Sequence, residues 1–363
     1  MCGIIAVLSP NKDIFQIVTL GLKKLQNRGY DSVGVGVLTN NFMIQKSVSS
    51  IEDLSPIEGG TVGIGHTRWA THGINSVENA HPHISSDGKI MLVHNGIIEN
   101  YVSLKRELIE NGFTFSSDTD SEVIANLIAY NYKDDPSSAI HKSMSALKGT
   151  WACVVVFRDN PNSIYCNRHG SPLVMSYTDN LFVVASEIAG ISDHVSHYNI
   201  IDNNEVLVAS IYDNKINVSN TTYTSNTIKH VQDMNKDEYK HWTIKEIHEQ
   251  SEACLRALNL GGRLRNGIVK LGGLEGVKDK LMDVEHILLL GCGTSYYAAL
   301  TSLHHFKKNK FFTSAQALNA SEFDIHDIPK KGKSCVIVLS QSGETCDLYK
   351  CIELIRQYEE SII

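Results

Sequence analysis

Short β-type runs constrain the fold of the first 215 residues more than any other feature of this sequence. Helical periodicity interrupts these runs only at about 13–28 and 121–132. Many short strands with few helical segments predict two sheets with helices packed against them. The seven runs, which alternate with clusters of turn residues, are GIIAVL, SVGVGVL, TVGIGH, KIMLVH, WACVVVF, LFVVAS and EVLVAS.

The pattern changes after this region. The polar stretch 216–237 has neither the strand nor the helix period, which indicates a linker, and helix formers follow it. From about residue 280, strand, loop and helix repeat, with strands near 285, 311 and 335, which predicts a parallel sheet. We therefore expect domains at 2–215 and 281–363, with a linker and helical connector at 216–280.

Charge and composition exclude several classes of protein. The 33 Lys and Arg residues against 40 Asp and Glu residues argue against a generally basic nucleic-acid binder. No apolar run approaches the length of a membrane span and no signal-peptide pattern opens the chain, so we expect a cytoplasmic protein without membrane partners. The eight cysteines form no CxxC pair and the 16 histidines form no HExxH pattern, so we expect neither metal nor cofactor.

Cys2 directly follows Met1, and its small side chain is compatible with methionine removal. We expect the mature protein to begin at Cys2. Its thiol, with a pKa of about 8.5, would then lie beside an α-amine with a pKa of about 8 that can accept the proton. Nucleophile and base would belong to one residue. The alternative is a buried cysteine that begins the first strand.

Arg68 and Asp120 are candidate binding groups for the two charged ends of an amino acid. Arg68 follows the strand TVGIGH and could hold a carboxylate through two charge-assisted hydrogen bonds, although a surface arginine is the alternative. Asp120 lies at the start of a predicted helix, where it could bind an ammonium. Because Thr119 and Glu122 have capping-box spacing, a helix-dipole role for Asp120 also remains open.

Asn95 and Gly96 follow the strand KIMLVH, and two interpretations remain open for them. One is a type I′ hairpin turn. In the other, the Asn95 side-chain amide and the Gly96 N–H point at one developing negative oxygen as an oxyanion hole. With Cys2, Arg68 and Asp120, the second interpretation fits glutamine, which has an amide, a carboxylate and an ammonium.

Motifs over residues 2–210 resemble class II glutamine amidotransferases and occur in the order typical of that family, namely MCGIIAVL, RGYDSVGVGV, GIGHTRWATHG, AHPH, VHNGIIEN, DTDSEVIA and GSPL. The resemblance implies an α+β N-terminal-nucleophile hydrolase fold, an αββα sandwich. RGYDS and HTRWATHG are most similar to the glutamine:fructose-6-phosphate aminotransferase branch.

This resemblance also implies residue roles. Cys2 would be the nucleophile, and Asn95 and Gly96 would form the oxyanion hole. Trp69 would gate the path of ammonia, and Thr71 and His72 would belong to a mobile glutamine loop. The implied glutamine-binding residues are Arg68, Trp69, Thr71, His72 and Asp120.

Two loops in the last part of the chain, GCGTS at 291–295 and SQSGET at 340–345, lie between a buried strand and a helix. Free N–H groups and hydroxyls at a helix N-terminus suit a phosphate monoester, although helix capping explains either loop alone. Two such loops on one parallel sheet predict a shared anion crevice. GCGTS, ASEF and LSQSGET resemble the SIS domain of the same aminotransferases, which implies fructose 6-phosphate contacts from Thr294, Ser295, Ser340, Gln341, Ser342 and Thr345.

By the same resemblance, the rest of this partial α/β SIS domain, a second SIS domain, and a glutamate base, a histidine and a Schiff-base lysine lie beyond residue 363. We therefore expect a truncated or split frame, or an excerpt of a longer protein. The leading hypothesis is an aminotransferase that passes ammonia from glutamine to fructose 6-phosphate, giving glucosamine 6-phosphate, and that is a homodimer at full length. A glutaminase alone, one subunit of a split enzyme, and a non-catalytic phosphosugar sensor are the alternatives.

Overall fold

The computed structural model describes residues 2–69, 73–219, 223–228, 238–259, 263–265, 268–341, 343 and 345–357. The chain forms two compact units, Met1–Glu238 and Tyr239–Ile363. The strands of the first unit are β1 (Gly3–Leu8), β2 (Ser32–Leu38), β3 (Phe42–Ser47), β4 (Val62–Arg68), β5 (His83–Ile84), β6 (Ile90–Ile98), β7 (Gly149–Phe157), β8 (Ser163–His169), β9 (Val174–Thr178), β10 (Leu181–Ala185), β11 (His197–Ile200), β12 (Val206–Tyr212), β13 (Lys215–Val218) and β14 (Asn226–Thr227). Its helices are α1 (Ile14–Lys24), α2 (Tyr101–Glu110), α3 (Asp120–Asn131) and α4 (Pro136–Met144), with short 3₁₀ turns at Gln26–Arg28, Ile51–Asp53 and Ile188–Gly190.

These strands form two antiparallel sheets. The eight-stranded sheet has the order β14-β11-β9-β10-β1-β4-β2-β3, and the six-stranded sheet has the order β13-β12-β8-β7-β6-β5. In the first sheet, β1 lies between β10 and β4, with Ile5 opposite both Ala185 and Gly65. The first residues of the chain therefore lie in the interior of a sheet.

Four layers bury three apolar cores. Ile4, Ala6 and Leu8 of β1 face the six-stranded sheet, where they join Met91 and Val93 of β6 in the core between the sheets. The alternate side chains of β1 pack beneath α1 in a second core. Helices α2, α3 and α4 cover the outer face of β6 and β7 in a third core. The order helix, sheet, sheet, helix is the αββα sandwich that the resemblance implies. Because both faces of β1 are covered, its continuous apolar run GIIAVL is compatible with an antiparallel sheet.

The apolar runs of the sequence correspond to strands of the structure. GIIAVL and SVGVGVL coincide with β1 and β2, and the helical period at 121–132 corresponds to α3. Strands β3, β8 and β9 were not predicted. Each of them contains polar residues, and β3 is a partly exposed edge strand, so none has the apolar run that marks a buried strand.

The polar stretch 216–237 is not a simple linker in its described part. β13 pairs with β12, with Ile211 opposite Ile216, and β14 pairs with β11, with His197 opposite Thr227. The first compact unit accordingly continues to Glu238. Backbone pairing at the sheet margins holds residues whose side chains carry little apolar signal.

The second unit contains a parallel sheet. Its elements are α5 (Trp242–Ala257), β15 (Leu264–Arg265), β16 (Ile268–Val269), α6 (Gly272–Glu275), α7 (Lys278–Met282), β17 (His286–Gly291), α8 (Thr294–Asn309), β18 (Ser314–Asn319), β19 (Ser334–Val338) and α9 (Cys346–Arg356), with a 3₁₀ turn at Ile325–Asp327. β17 lies between β18 and β19 and is parallel to both. Leu288 and Leu290 pack with Leu348 of α9 on one face, and Ile287 and Leu289 pack on the other. No helix in the described ranges is long and apolar enough to cross a membrane.

Two glycines of β2 allow a neighbouring segment to approach the sheet. A Cβ on Gly34 would lie 2.0 Å from the carbonyl oxygen of His81, and a Cβ on Gly36 would lie 2.4 Å from Sδ of Met91. At Gly34 the obstacle is a backbone atom, the carbonyl oxygen of His81, which cannot easily move. At Gly36 the obstacle is Sδ of Met91, near the end of a flexible side chain that can change its rotamer.

We predict that Gly34→Ala destabilises the first unit more than Gly36→Ala does. Overpacking against the backbone should lower the free energy of unfolding by about 3 kcal/mol, whereas reorientation of Met91 should limit the second loss to about 1 kcal/mol. Urea denaturation monitored by circular dichroism measures both. Equal losses for the two variants would contradict the close approach of His81 to β2.

Candidate active site

Cys2 lies immediately before β1, and its thiol is held beside the end of β4. The Sγ atom accepts a hydrogen bond from the Trp69 backbone N–H at 3.2 Å. Burial raises the pKa of the Cys2 thiol, and the hydrogen bond from Trp69 and the charges of Arg68 and Arg28 oppose this increase. A thiol with a raised pKa is protonated at neutral pH, so nucleophilic attack by this sulfur needs a nearby base.

The carbonyl oxygen of Cys2 accepts two hydrogen bonds from side chains. Asn95 Nδ2 donates to it at 2.8 Å, and Arg28 Nε donates to it at 3.0 Å. Arg28 also forms an ion pair with Glu187, with Nη1 3.0 Å from Oε2. Sequence reasoning missed Arg28, and its only signal was its position in the motif RGYDS.

Asn95 and Gly96 lie inside β6, not in a turn. Asn95 is opposite Ala152 and Gly96 is opposite Trp151 of β7, so the type I′ hairpin interpretation is wrong. Gly96 has a φ of 129°, and a Cβ there would lie 2.1 Å from the carbonyl oxygen of Thr150. The dipeptide resembles a hairpin signal because glycine is needed for this backbone conformation within a strand.

Arg68 and Asp120 are both buried, and their charges interact. Arg68 ends β4, and its Nη1 donates to the Ile74 carbonyl oxygen at 3.4 Å. Asp120 begins α3, and its Oδ2 accepts a hydrogen bond from the Ile98 N–H at 2.9 Å. Burial lowers the pKa of the Arg68 guanidinium, and the charges of Cys2 and Asp120 act in the opposite direction. The guanidinium of Arg68 therefore lies within electrostatic range both of the Cys2 thiol and of the Asp120 carboxylate.

The start of α3 contains half of the capping box that the spacing suggests. Thr119 is the N-cap, and its hydroxyl accepts a hydrogen bond from the Glu122 N–H at 3.3 Å. The Glu122 carboxylate instead accepts hydrogen bonds from the backbone N–H groups of Ser116 and Ser117. These contacts position the first turn of α3, which carries Asp120.

Trp69 adjoins the site and is 45% exposed. Its ring lies against Tyr30, with the ring centroids 5.3 Å apart. Thr71 and His72, the other two residues assigned to the glutamine loop, lie outside the described residues.

Four buried histidines, namely His66, His81, His83 and His94, form a cluster that contacts Asn95 through His66. His66 Nε2 is 2.9 Å from Asn95 Oδ1, and His66 Nδ1 is 3.0 Å from His81 Nδ1. Burial lowers the pKa of His66 to about 3 and lowers the pKa values of His81 and His83 well below the usual range. Sequence reasoning gave these histidines no role. Within the described residues, no group of three or more His, Cys, Asp or Glu side chains could hold a metal ion.

The second unit brings its two polar loops to one edge of the parallel sheet. β17 ends at Gly291 and β19 ends at Val338, and the two strands are paired neighbours. Thr294 and Ser295 open α8 after the first loop, and Ser340 and Thr345 lie in the second, with their hydroxyl oxygens 3.4 Å apart. Gln341 is exposed, and Ser342 lies outside the described residues.

Known proteins resemble both units. Residues 1–251 match the family described as a glutamine amidotransferase domain, and residues 280–363 match the family described as a SIS domain. A glutamine--fructose-6-phosphate aminotransferase (isomerizing) of Chlorobaculum tepidum is 36% identical and covers 98% of this chain. A probable glutamine--fructose-6-phosphate aminotransferase (isomerizing) of Acanthamoeba polyphaga mimivirus is 35% identical and covers 99% of this chain. The chain spans 60% and 61% of the lengths of these two relatives.

Among solved structures, the glutamine phosphoribosylpyrophosphate amidotransferase from B. subtilis has a TM-score of 0.53 and 18% sequence identity. The superposition covers 92% of this chain and 74% of that chain. At this identity the similarity shows a shared fold.

The buried histidines predict acid sensitivity. Below the usual histidine pKa of about 6.5, the unfolded chain binds protons that the folded rings exclude. The free energy of unfolding should therefore fall as the pH decreases from about 6.5. The decrease should be up to about 1.4 kcal/mol per pH unit for each of His66, His81 and His83. At neutral pH and above, this contribution should be constant. Urea denaturation at pH values from about 7.5 to about 5.5 measures the slope.

His83→Gln provides the control for this slope. Since glutamine does not titrate, the variant should lose less stability than the wild type over the same pH interval. An identical slope for the two proteins would show that His83 does not cause the acid sensitivity.

Proposed function

Because the chain belongs to the glutamine amidotransferase family and carries a SIS segment after that domain, we propose that Cys2 hydrolyses glutamine and that the released ammonia is destined for a phosphosugar. In the first step, the Cys2 thiolate attacks the side-chain carbonyl carbon of glutamine. The α-amine of Cys2, free once methionine is removed, takes the thiol proton. The α-ammonium formed in this way returns the proton to the departing nitrogen, and the tetrahedral intermediate collapses to a thioester with loss of ammonia. Water then hydrolyses the thioester to glutamate and regenerates the Cys2 thiol.

The hydrogen bond between Asn95 Nδ2 and the Cys2 carbonyl oxygen is the observation that carries this proposal. This bond joins a side-chain amide to the carbonyl group of Cys2, although 93 residues separate the two in sequence. Each amide NH₂ group has two donors, so Asn95 can keep this bond and offer its second N–H to the oxyanion. In this mechanism the Gly96 N–H is the other donor to that oxygen.

Arg68 and Asp120 would provide specificity for free glutamine. The guanidinium would bind the α-carboxylate, and the Asp120 carboxylate would bind the α-ammonium. Both side chains are 3% exposed, so their charges act with little solvent screening. Trp69 would gate the path of ammonia, and Thr71 and His72 would contribute to glutamine binding.

The acceptor would be fructose 6-phosphate, bound between the two loops of the parallel sheet, and the product would be glucosamine 6-phosphate. The adjacent ends of β17 and β19 and the N-termini of α8 and α9 support this assignment. The proposed phosphosugar contacts are Thr294, Ser295, Ser340, Gln341, Ser342 and Thr345. The relatives that are named for this reaction support it as well.

We predict that Asn95→Ala lowers kcat for glutamine hydrolysis at least a hundredfold, a factor on the order of that found when one oxyanion donor is removed. The KM for glutamine should change little, because Arg68 and Asp120 remain. Glutamate release from purified protein measures both constants. Unchanged turnover would refute the role of Asn95.

Two cysteine variants calibrate this assay. Cys2→Ala should abolish glutamate release, whereas Cys254→Ala, at an exposed position of α5, should leave it unchanged. Glutamate release by the wild type would eliminate a non-catalytic phosphosugar sensor. Addition of fructose 6-phosphate separates transfer from simple hydrolysis, because only transfer yields glucosamine 6-phosphate.

We also predict that Thr294→Val weakens fructose 6-phosphate binding about tenfold, since a hydrogen bond to a charged group contributes about 1.5 kcal/mol. Thr301→Val is the matched control, because this threonine lies in the same helix and its hydroxyl donates to the Tyr297 carbonyl oxygen. Titration calorimetry measures both affinities. Equal affinity of the two variants would exclude Thr294 from the phosphosugar site.

A further inference from the structure

The side chain of Asn95 can serve an oxyanion in only one orientation. Its nitrogen can donate to a negative oxygen, whereas its carbonyl oxygen would repel that charge. A rotation of about 180° about the last side-chain bond exchanges the two atoms with almost no change in shape. The mechanism therefore needs a contact that distinguishes the two ends of this amide.

His66 and Cys2 together provide this distinction. Asn95 Oδ1 is 2.9 Å from His66 Nε2, and Asn95 Nδ2 is 2.8 Å from the carbonyl oxygen of Cys2. His66 Nε2 is also 3.1 Å from the carbonyl oxygen of His94. Because a backbone carbonyl only accepts, this nitrogen must carry the hydrogen, and the Asn95 atom that faces it must be the oxygen. The opposite orientation would place Asn95 Oδ1 against the Cys2 carbonyl oxygen.

The proton positions continue into the next ring. His66 is 1% exposed and neutral, so with hydrogen on Nε2 its Nδ1 has a lone pair. This atom lies 3.0 Å from His81 Nδ1, which must therefore donate. His81 Nε2 is then unprotonated, and it has no hydrogen-bond partner among the described residues. All three hydrogen bonds therefore donate in the same direction, from His81 to His66, from His66 to Asn95, and from Asn95 to the Cys2 carbonyl oxygen.

This chain of bonds connects the two sheets. His66 lies in β4 of the eight-stranded sheet, and Asn95 lies in β6 of the six-stranded sheet. Asn95 is thus held by a residue of the sheet opposite its own.

We propose that His66 is a positioning residue for the oxyanion hole, holding the Asn95 amide so that one N–H binds the Cys2 carbonyl and the other faces the substrate oxygen. His81 keeps His66 in the required tautomer. The inference rests on the proposed glutaminase function. His66 itself contacts neither substrate nor the reacting sulfur in this role.

His66→Leu tests the role, because leucine fills a similar volume and cannot donate. Loss of the fixed orientation should lower kcat for glutamine hydrolysis by about tenfold to a hundredfold, somewhat less than removal of the donor itself. The KM for glutamine should stay within about twofold, since Arg68 and Asp120 bind the α-groups. His66→Gln retains an N–H donor near the position of Nε2 and should restore most of kcat.

His83→Gln is the matched control. His83 belongs to the same buried cluster, and its Nε2 lies 3.1 Å from the Thr119 hydroxyl oxygen, so its described hydrogen bond is not to Asn95. This variant should lose stability to a similar degree and keep kcat within about twofold of the wild type. Alkylation of Cys2 by iodoacetamide needs no oxyanion hole, so it should proceed at the same rate in the wild type and in His66→Leu.

Nitrogen-15 NMR of the histidine rings provides a readout that does not depend on variants. The proposal requires hydrogen on Nε2 of His66 and on Nδ1 of His81 in the wild-type protein. Protonation of His66 on Nδ1 instead would overturn it, and so would equal kcat values for His66→Leu and His83→Gln while the wild type remains active. A wild type that releases no glutamate would refute the glutaminase function itself, a result distinct from either of these.

Discussion

The carbonyl oxygen of Cys2 connects the start of the chain to both sheets. Its hydrogen bonds come from Asn95 in β6 and from Arg28 after α1, while the next residues of β1 pair with β4 and β10. Chain ends usually fray because few contacts hold them. Here, two side-chain donors and two neighbouring strands fix the residue that would carry both nucleophile and base. The precision of the candidate site depends on this anchoring.

The same two-sheet arrangement explains the buried histidines. Along β4, Gly63 and Gly65 face α1, where added Cβ atoms would meet Ile14 and Val18, so Ile64 and His66 point towards the other sheet. A polar ring in that position is unfavourable unless its nitrogens are hydrogen-bonded. Asn95 and His81 meet this requirement. Burial keeps the rings of His66 and His81 neutral, so each ring has a single N–H donor. This fixes the direction in which the hydrogen bonds from His81 to Asn95 donate.

In the second unit, parallel strand pairing brings the two polar loops to the same edge of the sheet. β17 and β19 run in the same direction, so the loops that follow them emerge at one edge. Gly291 permits the tight entry into α8, because a Cβ at this position would lie 2.7 Å from the backbone of Ser295. The result is two helix N-termini with hydroxyl side chains at neighbouring strand ends, an arrangement that favours an anion.

The sequence alone determined the classes of structure and the main chemical groups. Continuous apolar runs such as GIIAVL and the ILLL of β17 mark strands covered on both faces, because burial of such side chains dominates local preference. Cys2, Arg68 and Asp120 were identifiable as a candidate nucleophile and two candidate charged partners, because their chemistry belongs to the residues themselves. Only the tertiary structure decided which neighbours these groups have. Asn95–Gly96 has the local signature of a hairpin, and pairing with β7 places it inside a strand. Likewise, Arg28 and His66 have no distinctive local signal, and they reach Cys2 and Asn95 through contacts that span 26 and 29 residues. Hydrogen bonds between distant segments depend on the register and packing of whole sheets, which local sequence patterns do not encode.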